Sequence, residues 1–360
     1  MSLQPDASLI QVPAVSEPQV NTDRWIEPNQ PPRLSVVIVN YHQWGETADL
    51  VRQLGRSSCL SSGKAEVVVV DNHSPANPIA GWLRRRRGVS LRRWSSNRGF
   101  ARGVNEGCRL SQGNWFLLLN SDMTVREGFL DGVLALSHHL ENETPRAGIV
   151  GFQLRNPDGS RQWSTGPFPT LAGTLTGLIL PRSRRKYRRM RTRQRTQVPW
   201  VTGCCLLVRR ECLHDLGGLD EDFFLYYEDV DLCLRAKKRG WTVWYEPGLR
   251  VVHHRPLHAR AVAVPIRVLS RYSLLIYAAK HWPRWQSQVL ARIVRAEGWV
   301  RNRWKRWKGD IQKAAQYAVL EAISTDLAGG NPSAAQRRLR RFIRARERDR
   351  IADCRLQAVD

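Results

Sequence analysis

Three stretches decide the fold of this 360-residue chain: LSVVIVNYHQ (34–43), VVVVDNHSP (67–75) and FLLLNSDM (116–123). Each contains a continuous apolar run, which is typical of a strand buried on both faces of a parallel sheet. Each run then gives way to polar residues, namely Asn40-Tyr41, Asp71-Asn72 and Asn120-Ser121-Asp122. Helical patterns lie between the runs, and strands that alternate with helices predict βαβ units with right-handed crossovers. The sequence therefore predicts an α/β fold.

The polar residues after these runs are candidate ligand-binding residues, because ligands of open α/β sheets bind beyond the carboxyl ends of the strands. Asp71 could accept hydrogen bonds from a base or a ribose. The alternative is a plain turn, since Asn, Ser and Pro favour turns. Asp122 could hold Mg²⁺ or Mn²⁺, which prefer oxygen ligands and bridge to phosphates. Its alternative is an Asx turn or a helix cap.

The segment NRGFA (97–101) opens a predicted helix that Gly113 ends, just before the third strand. A glycine at Gly99 lets the backbone approach a ligand, and a helix N-terminus beside Arg98 favours phosphate. A plain helix cap explains the same residues, so the segment alone does not decide between ligand binding and capping.

A run of acidic residues, Glu228-Asp229-Val230-Asp231, opens a second predicted helix that Gly240 ends. The helix dipole accounts for one or two of these carboxylates. Three of them beside the aromatic run of residues 223–227 indicate a site in which one carboxylate acts as a general base. Crowding of like charges would raise the pKa of at least one.

Short strands are predicted at 241–245 and at 250–252, and the pair His253-His254 follows the second of them. Adjacent residues of a strand point to opposite faces, so we expect at most one of the two histidines to serve a given site.

The chain divides into regions of different composition. Residues 1–32 contain six prolines and no periodic pattern, which predicts a disordered tail. Residues 33–260 carry the alternating strands and helices, interrupted by a basic insert at 182–195. Residues 261–360 are predicted to be helical and rich in Trp and Arg, with 21 Lys/Arg against 8 Asp/Glu. The insert and this last region account for most of the net charge of +25, which points to a polyanionic partner.

The order of these motifs resembles family 2 glycosyltransferases with the GT-A fold. LSVVIVNYHQ, VVVVDNHSP, SSNRGFARGVNEG and FLLLNSDM are similar to the nucleotide-binding half of that family. Residues 200–241, followed by VVHHRP, are similar to its acceptor half, and the rhamnosyltransferase-like branch is the nearest in character. The resemblance covers about residues 33–260. It implies a Rossmann-like mixed sheet that binds a nucleotide sugar, followed by a basic helical region.

The resemblance also implies roles for individual residues. Donor-binding roles fall on Asn40, Tyr41, Asp71, Asn72, Asn97, Gly99, Phe100, Asn105, Asn120 and Ser121. A divalent cation, Mg²⁺ or Mn²⁺, would be held by Asp122 of the DXD-type motif, with His253 or His254 completing its shell. Asp229 matches the general base, with Glu228 beside it. Asn120 stands where relatives often have Asp, which would lower the affinity for the metal.

The implied activity is an inverting sugar transfer from a nucleoside diphosphate sugar, either dTDP-rhamnose or a UDP-sugar. The acceptor would be a glycan or a lipid-linked glycan of bacterial surface polysaccharide synthesis. The implied location is cytoplasmic, peripheral at the inner face of the plasma membrane. Residues 182–195 and the Trp-rich segment 299–308 combine positive charge with interfacial aromatic residues and would bind an anionic membrane surface. A solvated loop and an ordinary basic helix are the alternative.

Two other functions remain to be weighed. A nucleotidyltransferase also binds a nucleotide on an α/β sheet, but the chain has no lysine-bearing glycine-rich activation loop. A nucleic-acid-binding protein would explain the charge, but the charge lies outside the predicted catalytic region, and no zinc-finger or RNP-like motif occurs. Hydrolysis of nucleotide sugars and salt-dependent DNA binding would separate these functions.

Overall fold

The computed structural model describes residues 31–179, 192–255 and 263–356, with the side chains of 178–179 and 349–356 excepted. The predicted tail (1–32) and basic insert (182–195) therefore lie largely outside the described residues. No helix in the described part of the chain is both long and apolar enough to cross a membrane.

The first half of the chain follows the predicted alternation of strands and helices. Its elements are β1 (Leu34–Asn40), α1 (Trp44–Leu54), α2 (Ser58–Ser61), β2 (Ala65–Asp71), α3 (Pro78–Arg84), β3 (Val89–Arg93), α4 (Phe100–Leu110), β4 (Trp115–Asn120), β5 (Met123–Val125), α5 (Phe129–Glu143) and β6 (Ala147–Arg155).

The second half contains short strands, one long strand and the C-terminal helices. Its elements are β7 (Arg161–Gln162), β8 (Thr165–Gly166), α6 (Leu171–Ile179), β9 (Thr196–Gln197), β10 (Trp200–Val201), β11 (Cys205–Arg209), α7 (Arg210–Asp215), α8 (Glu228–Lys238), β12 (Thr242–His253), α9 (Val264–His281), α10 (Arg284–Trp307), α11 (Ile311–Ala328) and α12 (Pro332–Leu356).

Ten strands form one mixed sheet, whose main path runs β3-β2-β1-β4-β11-β6-β12-β5. The strands β1 to β4 on this path pair in parallel, whereas β11 is antiparallel to both of its neighbours, β4 and β6. In register, Asn40 lies beside Asp71, and Val39 lies beside Asn120. The three polar strand ends of the sequence therefore meet at one edge of the sheet, as the α/β prediction requires.

Apolar residues cover both faces of this sheet. Helices α1, α2, α3 and α5 enclose one core, and α4, α8 and the C-terminal helices enclose the other. Helix α4 packs unusually close to β1, because a Cβ atom at Gly107 would lie 2.3 Å from Cγ1 of Val37. This close approach brings the start of α4 to the strand ends.

The element boundaries differ from the sequence-based expectation at three places. Helix α4 ends at Leu110 rather than at Gly113. The strands expected at 241–245 and 250–252 form the single strand β12, which changes register between Glu246 and Arg250. The strand β3 was not predicted, because VSLRR is short and half polar.

The C-terminal helices pack against the segment that precedes α8. The Ser273 hydroxyl donates to the carbonyl oxygen of Leu225 over 2.8 Å. Lys280 forms ion pairs with Asp220 and Asp222. Helix α9 therefore supports the acidic segment and belongs to the same body as the sheet.

Candidate active site

Asp71 organises the end of β2 from inside the protein. Its side chain is fully buried, and Oδ1 accepts a hydrogen bond from Asn40 Nδ2 over 2.8 Å. Its Oδ2 accepts from Arg93 Nε over 2.9 Å. Arg93 also donates to the carbonyl oxygen of Ser74 over 2.8 Å. These bonds fix the loop after β2, so Asp71 orients neighbouring residues and has no open face in this conformation.

Asn72 holds the segment that opens α4. Its Nδ2 donates to Asn97 Oδ1 over 2.8 Å and to the carbonyl oxygen of Gly99 over 3.3 Å. Its Oδ1 accepts from the backbone amide of Arg98 over 2.8 Å. The predicted residues of the β2 end and of the segment 97–99 therefore form one hydrogen-bonded unit.

The structure explains why position 99 is a glycine by a contact within the protein, whereas the sequence suggested the approach of a ligand. Its φ is +96°, and an added Cβ would lie 2.9 Å from the carbonyl oxygen of Phe224. The amide of Phe100 donates to that same oxygen over 2.8 Å. The glycine thus lets α4 contact the segment that precedes α8, and this contact joins the two halves of the site.

Asp122 and His253 come together although 131 positions separate them. His253, the last residue of β12, places Nε2 3.4 Å from Asp122 Oδ2. Nδ1 of His253 lies 3.0 Å from Gln162 Oε1. A Gln Oε1 only accepts hydrogen bonds, so Nδ1 of His253 carries a proton, and the other ring nitrogen, Nε2, faces Asp122.

The pKa of the Asp122 carboxyl lies below its ordinary value. Burial raises this pKa, but the hydrogen bond and charge of His253, together with the charge of Arg255, outweigh the effect of burial. Asp122 is therefore ionised at neutral pH, which is the state that a cation requires.

The residues fit a divalent cation as a partial shell. Asp122 supplies a carboxylate and His253 an imidazole nitrogen, and diphosphate oxygens and water would complete the coordination. Within residues 31–179, 192–255 and 263–356, no group of three or more His, Cys, Asp or Glu side chains could hold a metal ion. The affinity for the metal would therefore depend on whether the nucleotide sugar, with its diphosphate oxygens, is bound.

His254 occupies another position. Its Nε2 lies 2.8 Å from the Thr124 hydroxyl. The strand alternation that the sequence predicts thus separates the two histidines, and only His253 faces Asp122.

The segment Gly203-Cys204 links Asp229 to the strand end that precedes Asp122. The amide of Gly203 donates to Asp229 Oδ2 over 3.0 Å, and the carbonyl oxygen of Cys204 accepts from the amide of Asn120 over 2.9 Å. Two consecutive residues therefore connect the first residue of the DXD-type motif to the carboxylate of α8. Asp229 is 8% exposed, so the carboxylate retains limited access.

The turn before α8 is strained. Tyr226 and Tyr227 both adopt left-handed backbone conformations, with φ of 72° and 68°. Such conformations are costly for residues other than glycine and concentrate at functional sites. The turn places Glu228 and Asp229 at the first helical positions, both of them buried.

Asp231, the third carboxylate of this run, is a structural residue. It is fully buried and pairs with Arg235 Nε over 2.6 Å and with His281 Nε2 over 2.7 Å. Asp231 joins α8 to α9 through these pairs. It is therefore not the candidate general base.

The remaining predicted residues fall into two groups. Tyr41 and Asn120 lie half-buried at the strand ends, and the buried Ser121 donates to Gln43 Oε1 over 2.6 Å. Asn105 lies farther along α4, where its side chain bonds to both the amide and the carbonyl oxygen of Leu219. The structure therefore brings the strand-end residues together and places Asn105 against the loop before α8.

Two residues of the site have no signal in the sequence. Arg93 belongs to a strand that the sequence did not indicate, and Gln162 belongs to the two-residue strand β7. A buried polar residue in a short strand is visible only once its partner is known.

Comparisons with known proteins identify the family of this chain. A sequence profile described as "Glycosyltransferase like family 2" matches residues 31–271. The N-acetylglucosaminyl-diphospho-decaprenol L-rhamnosyltransferase of Mycobacterium tuberculosis is 31% identical over 240 residues, which are 62% of this chain and 76% of that protein. The low-salt glycan biosynthesis hexosyltransferase Agl10 of Haloferax volcanii is 25% identical over 62% of this chain and 68% of its own length.

Among solved structures, GalNAc-T7 with UDP, GalNAc and Mn²⁺ has a TM-score of 0.49 and 15% identity over 70% of this chain and 51% of that one. The family assignment rests on the sequence relationships, and the matched residues 31–271 include the sheet and the start of α9. The expected fold class and enzyme class are confirmed: the chain belongs to glycosyltransferase family 2 and is a glycosyltransferase.

Proposed function

We propose that the protein transfers a sugar, with inversion, from a nucleoside diphosphate sugar to a hydroxyl group of a glycan or a lipid-linked glycan in bacterial surface polysaccharide synthesis. Rhamnose from dTDP-rhamnose is the preferred donor sugar, with UDP-sugars as the alternative. The proposal draws on the rhamnosyltransferase name of the mycobacterial relative, whose name also specifies a diphospho-decaprenol acceptor.

One observation carries the proposal. The segment Gly203-Cys204 bonds to Asp229 through the amide of Gly203 and, through the carbonyl oxygen of Cys204, to Asn120, two positions before Asp122, which pairs with His253. A donor whose diphosphate is held at Asp122 and His253 would present its anomeric carbon towards Asp229. Such a donor would have its leaving group and the base on opposite sides of the reacting carbon, as a single displacement requires.

The reaction then needs one proton transfer and no covalent intermediate. The carboxylate of Asp229 takes the proton of the acceptor hydroxyl as that oxygen bonds to the anomeric carbon. The bond from this carbon to the diphosphate oxygen breaks, and the diphosphate leaves with the electron pair. A bound divalent cation would supply positive charge that offsets the charge of the leaving group. Asp122 and His253 would hold it, and Gln162 orients His253.

Arg255 is a second source of positive charge. It follows His253 and His254, its charge reaches Asp122, and it pairs with Glu46 over 2.6 Å. We include it in the donor site as a residue that stabilises the diphosphate together with the cation.

The test of this function is transfer by the purified protein. A panel of dTDP- and UDP-sugars is offered with a short-chain lipid-linked acceptor, and the released nucleoside diphosphate is measured with and without acceptor. We expect acceptor-dependent release that EDTA abolishes and Mn²⁺ or Mg²⁺ restores, and a product of inverted configuration by NMR. Full activity in excess EDTA would contradict the metal role of Asp122. Absence of transfer from every donor would contradict the function.

A lipid-linked acceptor places the reaction at a membrane surface, and α10 carries a surface suited to it. Its C-terminal part and the start of α11 expose Trp299, Val300, Trp304, Trp307 and Ile311. Lys305 and Lys308 both lie within 5 Å of the Trp304 ring, at 4.9 and 4.4 Å from its centroid. Tryptophan prefers the headgroup zone, and each basic residue near an anionic surface contributes about 1 kcal/mol.

We therefore propose that the C-terminal end of α10 binds anionic membranes. The double substitution Trp304→Ser/Trp307→Ser is expected to weaken sedimentation with anionic vesicles roughly tenfold, because it removes two interfacial anchors. Trp285→Ser is the matched control: Trp285 is 62% exposed at the other end of the helix, about 30 Å away. Equal binding to anionic and neutral vesicles at low salt would contradict the proposal.

A further inference from the structure

Helix α12 connects the acceptor side of the site to its nucleotide side. Near its start, Gln336 Nε2 lies 3.4 Å from Asp222 Oδ1, in the segment before α8. Eleven residues later, or about 16 Å along the helix, Glu347 lies beside Asn97 and Tyr41. Leu339, Phe342 and Ile343 are buried, so the helix is seated on the core until one turn before Glu347. The position of Glu347 is therefore set by packing.

Two neighbours of Glu347 belong to the predicted nucleotide site. Asn97 and Tyr41 are its hydrogen-bonding neighbours, and His73 and Arg344 lie close enough for their charges to act on it. Asn97 is bonded through its Oδ1 to Asn72, so its amide nitrogen remains to face the carboxylate. A residue of the C-terminal region thus joins the unit formed by the ends of β1 and β2.

The carboxylate of Glu347 is not fully satisfied. Its Oε1 is buried and accepts no hydrogen bond from the described residues. Burial raises the pKa of Glu347 despite the lowering effects of Asn97, His73 and Tyr41. A buried acceptor without a donor costs free energy, and a ligand that brings an O–H or N–H group to it would recover that free energy.

The position of Glu347 indicates which part of the donor can supply the O–H or N–H group. A diphosphate would be repelled by this carboxylate, and its expected place is with a cation at Asp122, just after β4, which β1 separates from β2. The β2 and β4 ends are two strand spacings apart, about 10 Å. This is the scale that separates a nucleoside from its second phosphate. The nucleoside offers the pentose hydroxyl groups and, in a pyrimidine, an imide N–H.

We propose that Glu347 is a residue of the donor site, and that its carboxylate accepts a hydrogen bond from a hydroxyl or N–H group of the donor's nucleoside. The C-terminal region thereby completes a pocket whose other walls come from the sheet. This inference rests on the proposed function, because it takes the ligand to be a nucleoside diphosphate.

Nucleotide binding tests the assignment without the need for turnover. Dissociation constants for UDP, 2′-deoxy-UDP and dTDP are measured by calorimetry with Mn²⁺ for the parent protein and for Glu347→Met and Glu347→Gln. Glu347→Met keeps the length of the side chain but removes the acceptor, and we expect binding to weaken about tenfold, the loss of one charge-assisted hydrogen bond. Glu347→Gln, which keeps a weaker acceptor, is expected to fall between. Glu127→Gln, at an exposed position after β5, is the control and should bind as the parent does.

The three nucleotides distinguish which group of the nucleoside donates the hydrogen bond to Glu347. A loss confined to UDP would assign the contact to the 2′-hydroxyl, and a loss common to all three would assign it to the 3′-hydroxyl or the imide N–H. If the Glu347→Met protein binds the nucleotides with parental affinity and melts at the parental temperature, the inference is overturned and the proposed function is not. Tighter binding would also overturn the inference, because Glu347 would then obstruct the pocket. If the parent binds none of the nucleotides, the proposed function falls with the inference.

Discussion

The backbone amide of Gly203 donates a hydrogen bond to the Asp229 carboxylate over 3.0 Å. This bond fixes the carboxylate in the turn between the sheet and α8, and Val230 donates a second bond to Oδ1 from its own amide over 2.8 Å. Gly203 itself has little room, since an added Cβ would lie 3.2 Å from Cβ of Asp229. The proposed base is therefore oriented by backbone groups, which a substitution of its side chain leaves in place.

Asp229→Asn should abolish transfer while the protein stays folded. The amide is nearly isosteric and can still accept from Gly203, but it cannot take a proton, so we expect turnover to fall by about 10²–10⁴-fold. The measurement is transfer under saturating donor, together with the dissociation constant of UDP, which should change little. Parental turnover would exclude Asp229 as the base.

Asp231→Asn provides the contrast within the same helical turn. This substitution removes the charge that pairs with Arg235 and His281, so we expect a lower melting temperature and, in the protein that remains folded, nearly parental turnover. A large loss of turnover without a change in melting temperature would contradict this structural role.

His253→Gln and His254→Gln form a matched pair for the metal site. His253→Gln should weaken Mn²⁺ binding in the presence of UDP by about tenfold or more, because an imidazole ligand that faces Asp122 is lost. His254→Gln should leave Mn²⁺ binding unchanged, since that side chain contacts Thr124. Titration of Mn²⁺ followed by electron paramagnetic resonance measures both. Equal Mn²⁺ affinities of the two variants would contradict the assignment.

Gly99→Ala should be destabilising for two reasons, and Gly128→Ala separates them. Both glycines have positive φ, +96° and +74°, but only at Gly99 would the Cβ atom meet backbone atoms of another segment. We expect Gly128→Ala to cost about 1–3 kcal/mol of backbone strain and Gly99→Ala to cost more, with weakened UDP binding. Denaturant unfolding measures both free energies. A Gly99→Ala protein as stable as Gly128→Ala would show that the contact with Phe224 adjusts freely.

Glu297 should make the stability of the C-terminal helices depend on pH. Burial raises its pKa, but ion pairs with Arg271 and with Arg301 and Arg267 outweigh burial, so the pKa lies below its ordinary value. A depressed folded-state pKa stabilises the protein above the unfolded-state pKa of about 4.3, and this contribution disappears as the pH falls through the folded-state pKa.

Glu297→Gln should therefore lower the free energy of unfolding by about 2 kcal/mol at pH 7, and the difference from the parent should shrink as the pH falls below the unfolded-state pKa and through the folded-state pKa. The control is Glu143→Gln, whose carboxylate is 65% exposed and should contribute less than about 1 kcal/mol. A difference between parent and Glu297→Gln that is independent of pH would contradict the ion-pair account.

The sequence predicts the parts of the site that are local. Apolar runs that end in polar residues locate Asn40, Asp71 and Asp122 at strand ends, because a parallel sheet gathers those ends at one edge. The same patterns do not reveal that Asp71 is fully buried, because its partner Arg93 lies in a strand with no clear apolar signal. They do not reveal Gln162 or Glu347 either. Each is a single polar residue that meets the site through contacts between distant parts of the chain.

The place of β11 in the sheet has a consequence for biosynthesis. The edge of β4 that faces away from β1 is covered by β11, whose residues Cys205–Arg209 follow about 85 positions later. A nascent chain that has emerged only as far as β4 or β6 therefore exposes an apolar strand with unpaired amide and carbonyl groups, which is prone to pair with other chains. The donor-binding half becomes a closed structure only when the segment that carries Gly203 has left the ribosome. Synthesis of the two halves as separate polypeptides would thus leave the first one aggregation-prone.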